Sequence, residues 1–114
     1  MDMMLLGELV RTDANRQTYA GYWMPAGGND GVAAAEVFLV SASGDFEVSL
    51  ETKKSDESDA GAGSIGSAMI TGTGVLKFDV SNAQDLVRYV VEQKAASGNP
   101  YVHLQFSQPL WAPN

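Results

Sequence analysis

The sequence predicts an all-β fold, namely a single-domain antiparallel β-sandwich that is jelly-roll-like and contains about seven or eight short strands. Three observations lead to this fold class. Apolar and polar residues alternate with a period of two in several runs, turn-forming residues separate these runs at regular intervals, and only one segment could also form a helix. Such alternation is typical of antiparallel strands with one face on the core and one in water. The predicted domain covers residues 1–114.

The predicted strands fall into two groups. Alternation is clearest in DFEVSLETK (45–53), VLKFDVS (75–81) and YVHLQFS (101–107). Two other runs, AEVFLVSA (35–42) and LVRYVVEQ (86–93), are apolar on both sides. We therefore expect these two to be central strands or to be covered on their second face.

The segment SNAQDLVRYVVEQKA (81–95) is the one with a helical alternative, in which Ser81 or Asn82 would be the N-cap. Its centre is rich in β-branched and aromatic residues, which favour a strand. We predict a strand and keep the helix as the alternative.

Composition limits the classes of partner. The chain has 114 residues, no cysteine and a formal net charge of −7. The absence of cysteine excludes disulfides, thiolate zinc sites and cysteine nucleophiles. The acidic charge argues against nucleic acid and against an anionic membrane surface. The apolar run at 3–6 is too short for the core of a signal peptide, and no segment approaches the ~20 apolar residues of a membrane span. We expect a soluble protein in an undetermined compartment.

Two segments have interpretations of their own. Residues 1–10 (MDMMLLGELV) are either an N-terminal arm that reaches a neighbouring subunit or the first strand of the domain. Residues 55–67 are predicted to form a long flexible loop, because small residues there have high backbone entropy and little surface to bury. The loop contains the spacing G-x-G-x-x-G, but no helix pattern follows it, so we do not interpret it as a dinucleotide site.

A calcium site is one interpretation of the acidic tip of this loop. It contains Asp56, Glu57 and Asp59, and a second acidic loop lies at 28–31. Calcium requires six to eight oxygen ligands, and the spacing does not match an EF-hand. We interpret the tip as a solvated charged surface and predict neither a metal nor a cofactor.

Candidates for catalysis are few. His103 is the only histidine and lies on an alternating strand, where it points away from the predicted core. Glu47 and Glu51 share a strand face but lie roughly 13 Å apart, which exceeds the carboxylate separation of either glycosidase mechanism. We therefore predict that the protein is not an enzyme.

Aromatic residues leave two interpretations open. Tyr19, Tyr22 and Trp23 are close together in the sequence, and Trp111 lies near the C-terminal end. Buried tryptophans would close the two ends of a small core, which is the interpretation we favour. Exposed, they would form a stacking platform for sugars, so a carbohydrate-binding module that uses Tyr22, Trp23 and Trp111, with calcium at Asp56 and Asp59, is the alternative.

Two stretches, VSLETKKSDESD (48–59) and LVRYVVEQKAASGNPYVHLQFSQPLWAPN (86–114), carry a resemblance to a known group. The shared features are a strand that ends at an acidic tip, the LVRY and VHLQF strands and a terminal Trp-Pro element. In these features the chain resembles small jelly-roll-like decoration or cement proteins of tailed-phage capsids. The resemblance implies a sandwich that decorates a capsid shell, commonly as an oligomer. It transfers no functional residue.

These expectations combine into one prediction of function. The chain is expected to be a non-enzymatic structural protein, a capsid decoration or cement subunit located in the virion if a phage encodes it, with other protein subunits or copies of itself as partners. Candidate interface residues are large apolar side chains in the arm, the loop and the aromatic segments: Met3, Met4, Leu5, Leu6, Trp23, Ile65 and Trp111.

Overall fold

Ten β-strands and one 3-10 turn form the part of the chain that the computed structural model describes, which is residues 5–12, 18–42, 44–96 and 100–112. The strands are β1 (Leu5–Thr12), β2 (Thr18–Ala20), β3 (Met24–Pro25), β4 (Gly31–Val40), β5 (Gly44–Lys53), β6 (Gly63–Met69), β7 (Gly74–Val80), β8 (Leu86–Ala96), β9 (Val102–Ser107) and β10 (Leu110–Trp111). The 3-10 turn is Asp59–Gly61.

The strands form two antiparallel sheets. Sheet 1 has the order β1-β9-β4-β7, and β10 follows β9 alongside β4. Sheet 2 has the order β2-β8-β5-β6, and β3 follows β2 alongside β8. This strand order is that of a jelly roll. The predicted all-β jelly-roll sandwich is confirmed, and the two-residue strands β3 and β10 bring the strand number above the predicted seven or eight.

The core lies between the two sheets and follows the alternation in the sequence. Strand β8 is central in sheet 2, which confirms the strand interpretation of the segment with a helical alternative. The buried inner faces consist mainly of alternate residues of the long strands: Ala33, Ala35 and Val37; Phe46, Val48 and Leu50; Phe78 and Val80; Val87, Tyr89 and Val91; Val102, Leu104 and Phe106.

Both of these segments, 1–10 and 55–67, contribute a strand to the sandwich. Leu5–Thr12 forms β1 and pairs with β9 of the same chain, as in the first-strand alternative, while residues 1–4 lie outside the described part. The predicted loop 55–67 is corrected in its second part: residues 55–62 form a loop with one 3-10 turn, whereas Gly63–Met69 forms β6 and pairs with β5. One of its glycines, Gly66, lies where the backbone of β7 approaches closely.

Several register shifts interrupt the ladders, and three β-bulges matter for the surface of the molecule. Between the pairs Ala20–Val90 and Met24–Val87, residues 21–23 face only two residues of β8. On β4, the register shifts between Val37 and Leu39 opposite β9. Where β9 passes into β10, residues 107–109 face only two residues of β4. Each bulge positions one of the surface features described below.

The third bulge is held by a hydroxyl group from the opposite sheet. Tyr89 Oη, on β8, donates a hydrogen bond to the Ser107 carbonyl oxygen (2.8 Å) and accepts one from the Ala34 N–H (3.2 Å). Ser107 Oγ in turn donates to the Ala34 carbonyl oxygen (3.2 Å). The Tyr89 ring stacks on Phe106 with 4.3 Å between centroids. Backbone groups that the bulge removes from the ladder are thus satisfied inside the core.

Candidate functional site

The outer faces of the two sheets differ in chemistry. All five ion pairs found among the described residues lie on the outer face of sheet 2 or on the loop beside it. Lys94 Nζ lies 3.6 Å from Glu47 Oε1 and 3.5 Å from Glu92 Oε2, and Arg88 Nε lies 3.0 Å from Glu51 Oε1. The two strand glutamates considered for catalysis are therefore partners of cations on a hydrated surface.

The bulge between β2 and β3 places Trp23 over this charged face. The Arg88 guanidinium carbon lies 4.4 Å and Lys53 Nζ lies 4.9 Å from the centroid of the indole ring. The indole N–H donates to Asp59 Oδ1 (2.9 Å), and Lys53 Nζ donates to the same oxygen (2.9 Å). We call these residues, together with Glu51, the Trp23 cluster. Its cations already have π and carboxylate partners, so the cluster ties the loop to the sheet.

Asp59 controls this cluster through its charge. The hydrogen bond from Lys53, followed by that from Trp23 and the nearby charges, holds the pKa of Asp59 below its ordinary value of 3.8, against the opposing effect of desolvation. A carboxylate whose pKa is lower in the folded state contributes stability above its unfolded pKa, and this contribution is lost as the pH falls through the folded value.

We therefore expect the tryptophan fluorescence to change in a step whose midpoint lies below pH 3.8, as Asp59 takes up a proton and loosens from Lys53. The step should be missing in Asp59→Asn, whereas the contribution of Trp111 is common to both proteins. An identical step in the variant would assign the transition to another group.

The acidic tip is used for local structure. Glu57 Oε1 accepts the backbone N–H of Lys54 (2.8 Å), and the Glu57 carbonyl oxygen accepts from Lys53 Nζ (3.0 Å). Within the described ranges, no group of three or more histidine, aspartate or glutamate side chains could hold a metal ion. Glu57 and Asp59 therefore close the turn after β5, which gives these two acidic residues of the tip a structural role.

The outer face of sheet 1 carries most of the exposed large apolar side chains, interspersed with the polar residues Glu36, Lys77, Asp79 and Gln105. Seven large apolar side chains are exposed among the described residues, and five of them belong to this sheet or to the residue before β9. We call these five the contact face, and they are between 40 and 54 % exposed: Phe38, Leu39, Val75, Tyr101 and Leu110.

The second bulge explains why two consecutive residues of β4 belong to the contact face. Phe38 is the extra residue between Val37 and Leu39, so both Phe38 and Leu39 are exposed. Leu39 lies opposite His103, whose ring contacts Tyr101 edge-on with 6.2 Å between centroids. His103 is thus part of an aromatic and aliphatic surface, as its strand position predicted.

A groove lies at the other end of the same face. It has a volume of about 380 Å³ and is open to solvent. Leu110 lies opposite Val32 on one side, and Asp79 lies opposite Val32 on the other. Gly31 has no room for a side chain, because a Cβ atom there would lie 2.5 Å from the Leu110 carbonyl oxygen. We call this depression the Trp111 groove, since Trp111 forms part of its lining.

The predicted interface residues have different positions. Met3 and Met4 lie outside the described residues, and Leu5 and Leu6 begin β1. Ile65 and Trp111 pack against the core, in agreement with the core-closing interpretation for Trp111. Trp23 instead lies on the outer face of sheet 2.

The residues proposed for carbohydrate binding do not come together as one platform. Tyr22 is 84 % exposed and adjoins Trp23 beside sheet 2, whereas Trp111 belongs to sheet 1. Sequence reasoning missed the contact face, although a signal was present: the run 35–42 is apolar on both sides. That pattern predicted a central strand, which is correct, but the exposed half of the run has no cover among the described residues.

No family model matches the chain, and no curated protein matches it at a significant level. The described residues contain no helix that is both long and apolar enough to span a bilayer.

Proposed function

We propose that this protein is a non-enzymatic structural protein that works through protein–protein contacts, as a decoration or cement subunit of a virion capsid. The single observation that carries the proposal is the contrast between the two outer faces. One is covered by ion pairs, and the other presents the contact face.

The contrast has a physical consequence. Ion pairs on an exposed surface are compatible with water and contribute little to association. When a partner covers the five large apolar side chains of the contact face, the free energy of association becomes more favourable by roughly 25 cal/mol per Å² of apolar area buried. Large apolar side chains that are exposed together at one end of a sheet, as Phe38, Leu39 and Tyr101 are, suit an interaction site. The sandwich therefore has a solvent side, sheet 2, and a partner side, sheet 1.

Repetition on a shell would make modest contacts sufficient. A subunit that engages two neighbouring shell subunits, or a shell subunit and another copy of itself, gains affinity because the second contact forms at a high effective concentration. The resemblance to phage decoration proteins fits this mode of action, which requires a stiff sandwich and an accessible face and no reactive group.

The test is co-sedimentation with tailed-phage shells assembled from the major capsid protein of the same genome. Phe38→Glu introduces a charge into the contact face and is expected to weaken binding about tenfold, since residues central to an interface are worth more than ~1 kcal/mol each. Met69→Glu is the matched control, because Met69 is 41 % exposed and Phe38 is 42 % exposed, but Met69 belongs to sheet 2.

Both variants should unfold at the wild-type temperature, so that binding is compared between folded proteins. Equal binding by the two variants, or a loss confined to Met69→Glu, would contradict the assignment of sheet 1 as the partner side. A wild-type protein that fails to sediment with shells would overturn the proposed function itself.

A further inference from the structure

We propose that the Trp111 groove binds a short segment of the partner protein, with an apolar side chain over Val32 and Leu110 and a neighbouring lysine or arginine at Asp79 and Asp30. This inference rests on the proposed function, because it names the chemistry of the partner that the contact face meets. The groove lies on the same sheet as the contact face, and Leu110 belongs to both.

The shape of the groove suits a side chain. Three neighbouring strands place Leu110, Val32 and Asp79 in one row across the sheet, with an apolar side and a charged side. In the next row, Gly31 lies between Trp111 and Val80, which both pack against the core. A volume of about 380 Å³ is at the lower end of the range for sites that enclose ligands, roughly 300–1,000 Å³. One large side chain and part of its neighbour would fill it.

The charge of the groove determines which charged side chain of the partner it favours. Its charged lining residues are Asp30 and Asp79. Lys77 lies on β7 opposite Ala34, two residues from Asp79, and is not part of the lining. Carboxylates next to an apolar surface favour a long cationic side chain, because its methylene groups cover the apolar part while its charge meets the oxygens. The net charge of −7 favours the same partner at long range.

The groove is also held in shape before any partner binds. Asp30 Oδ1 accepts the backbone N–H of Asn82 (3.2 Å), and the Asp30 carbonyl oxygen accepts the N–H of Ala112 (2.8 Å). The N–H of Ala83 donates to the Asn29 carbonyl oxygen (2.9 Å). Asn82 adopts a left-handed backbone conformation with φ of 63°. Two loops and β10 are therefore fixed to each other, and a fixed groove loses less entropy on binding.

The experiment uses the Trp23→Phe protein, in which Trp111 is the only tryptophan and its fluorescence reports on the groove. The probe is a short synthetic peptide with a Leu-Lys-Leu centre, compared with Leu-Glu-Leu and Ser-Lys-Ser analogues. We expect the Leu-Lys-Leu peptide to bind about tenfold more tightly than either analogue. Asp79→Asn should weaken its binding roughly threefold to fivefold, as expected for one exposed ion pair. Amide chemical shifts of Gly31, Ser81 and Ala112 should move with the fluorescence.

Equal binding of the Leu-Glu-Leu analogue, no binding of any peptide, or shifts at other residues would overturn the inference. So would a concentration-dependent rise in mass by light scattering that Asp79→Asn reduces, since this would make a second copy the occupant. Phe38→Glu should leave peptide binding unaltered. If Phe38→Glu loses shell binding while no peptide binds the groove, the proposed function would stand and only the groove inference would be rejected.

Discussion

Replacing Tyr89 with phenylalanine is expected to lower the free energy of unfolding by about 1–3 kcal/mol. The hydroxyl group satisfies the Ala34 N–H and the Ser107 carbonyl oxygen at a bulge in the opposite sheet. Phenylalanine keeps the ring and its stacking on Phe106, so the substitution removes only the hydrogen bonds. Two buried backbone groups then have no partner, and their desolvation is no longer compensated.

The measurement is urea denaturation, in which the slope of the free energy of unfolding against urea concentration should stay at the wild-type value. Tyr22→Phe is the control, because Tyr22 is exposed and its hydroxyl group meets water, so its effect should lie within about 0.5 kcal/mol. Ser107→Ala removes the bond from Ser107 Oγ to the Ala34 carbonyl oxygen, and it should combine non-additively with Tyr89→Phe since both act on one network. A Tyr89→Phe protein as stable as Tyr22→Phe would show that the bulge does not depend on the hydroxyl group.

The same hydroxyl group makes stability depend on alkaline pH. Burial raises the pKa of Tyr89 from 10.0 to about 12, against the opposing effect of its hydrogen bonds to Ala34 and Ser107. Above pH 10 the unfolded chain loses this proton while the folded chain keeps it, so the stability contribution present below pH 10 is lost progressively toward pH 12. A pKa difference of two units between the folded and the unfolded chain corresponds to about 2–3 kcal/mol in the free energy of unfolding. Relative to wild type, Tyr89→Phe should show a shallower fall over this window, and parallel curves would contradict the assignment.

The fold could be predicted from the sequence because its signals are local. Alternation along 45–53 or 101–107 depends on which face each residue occupies, and the strand preference of 86–93 depends on residue type. The surface features could not be predicted, because they arise from pairings between distant residues. Trp23 and Asp59 are 36 positions apart, and their contact requires β3 and the turn after β5 to meet beside β8.

The contact face could not be predicted from the sequence either. The apolar run 35–42 predicted a central strand, and β4 is one. A bulge decides which of its residues leave the core, and a one-residue change of register reverses the face of every side chain beyond it. Sequence periodicity alone does not locate such a bulge, so the exposure of Phe38 and Leu39 became visible only in the structure.

Replacing Gly66 with alanine is expected to lower the free energy of unfolding by about 1–3 kcal/mol, because the added methyl group has no space. A Cβ atom at Gly66 would lie 2.4 Å from the Asp79 carbonyl oxygen and 2.8 Å from Val80 Cγ1. The oxygen belongs to the backbone of β7 and cannot rotate away, so the edges of the two sheets would have to separate. The neighbouring hydrogen bond from the Ser81 N–H to the Ile65 carbonyl oxygen (3.3 Å) would be strained as well.

Gly63→Ala is the matched control in the same strand. A Cβ atom there meets nothing within 4 Å, so this alanine should be neutral or stabilise by up to about 1 kcal/mol through a less flexible unfolded chain. Thermal unfolding compares the two variants, and amide exchange at Ser81 locates the effect. If the glycines served only flexibility, both alanines would shift the melting temperature equally. A loss confined to Gly66→Ala, with faster exchange at Ser81, would show that this glycine is required where β6 and β7 close one side of the sandwich.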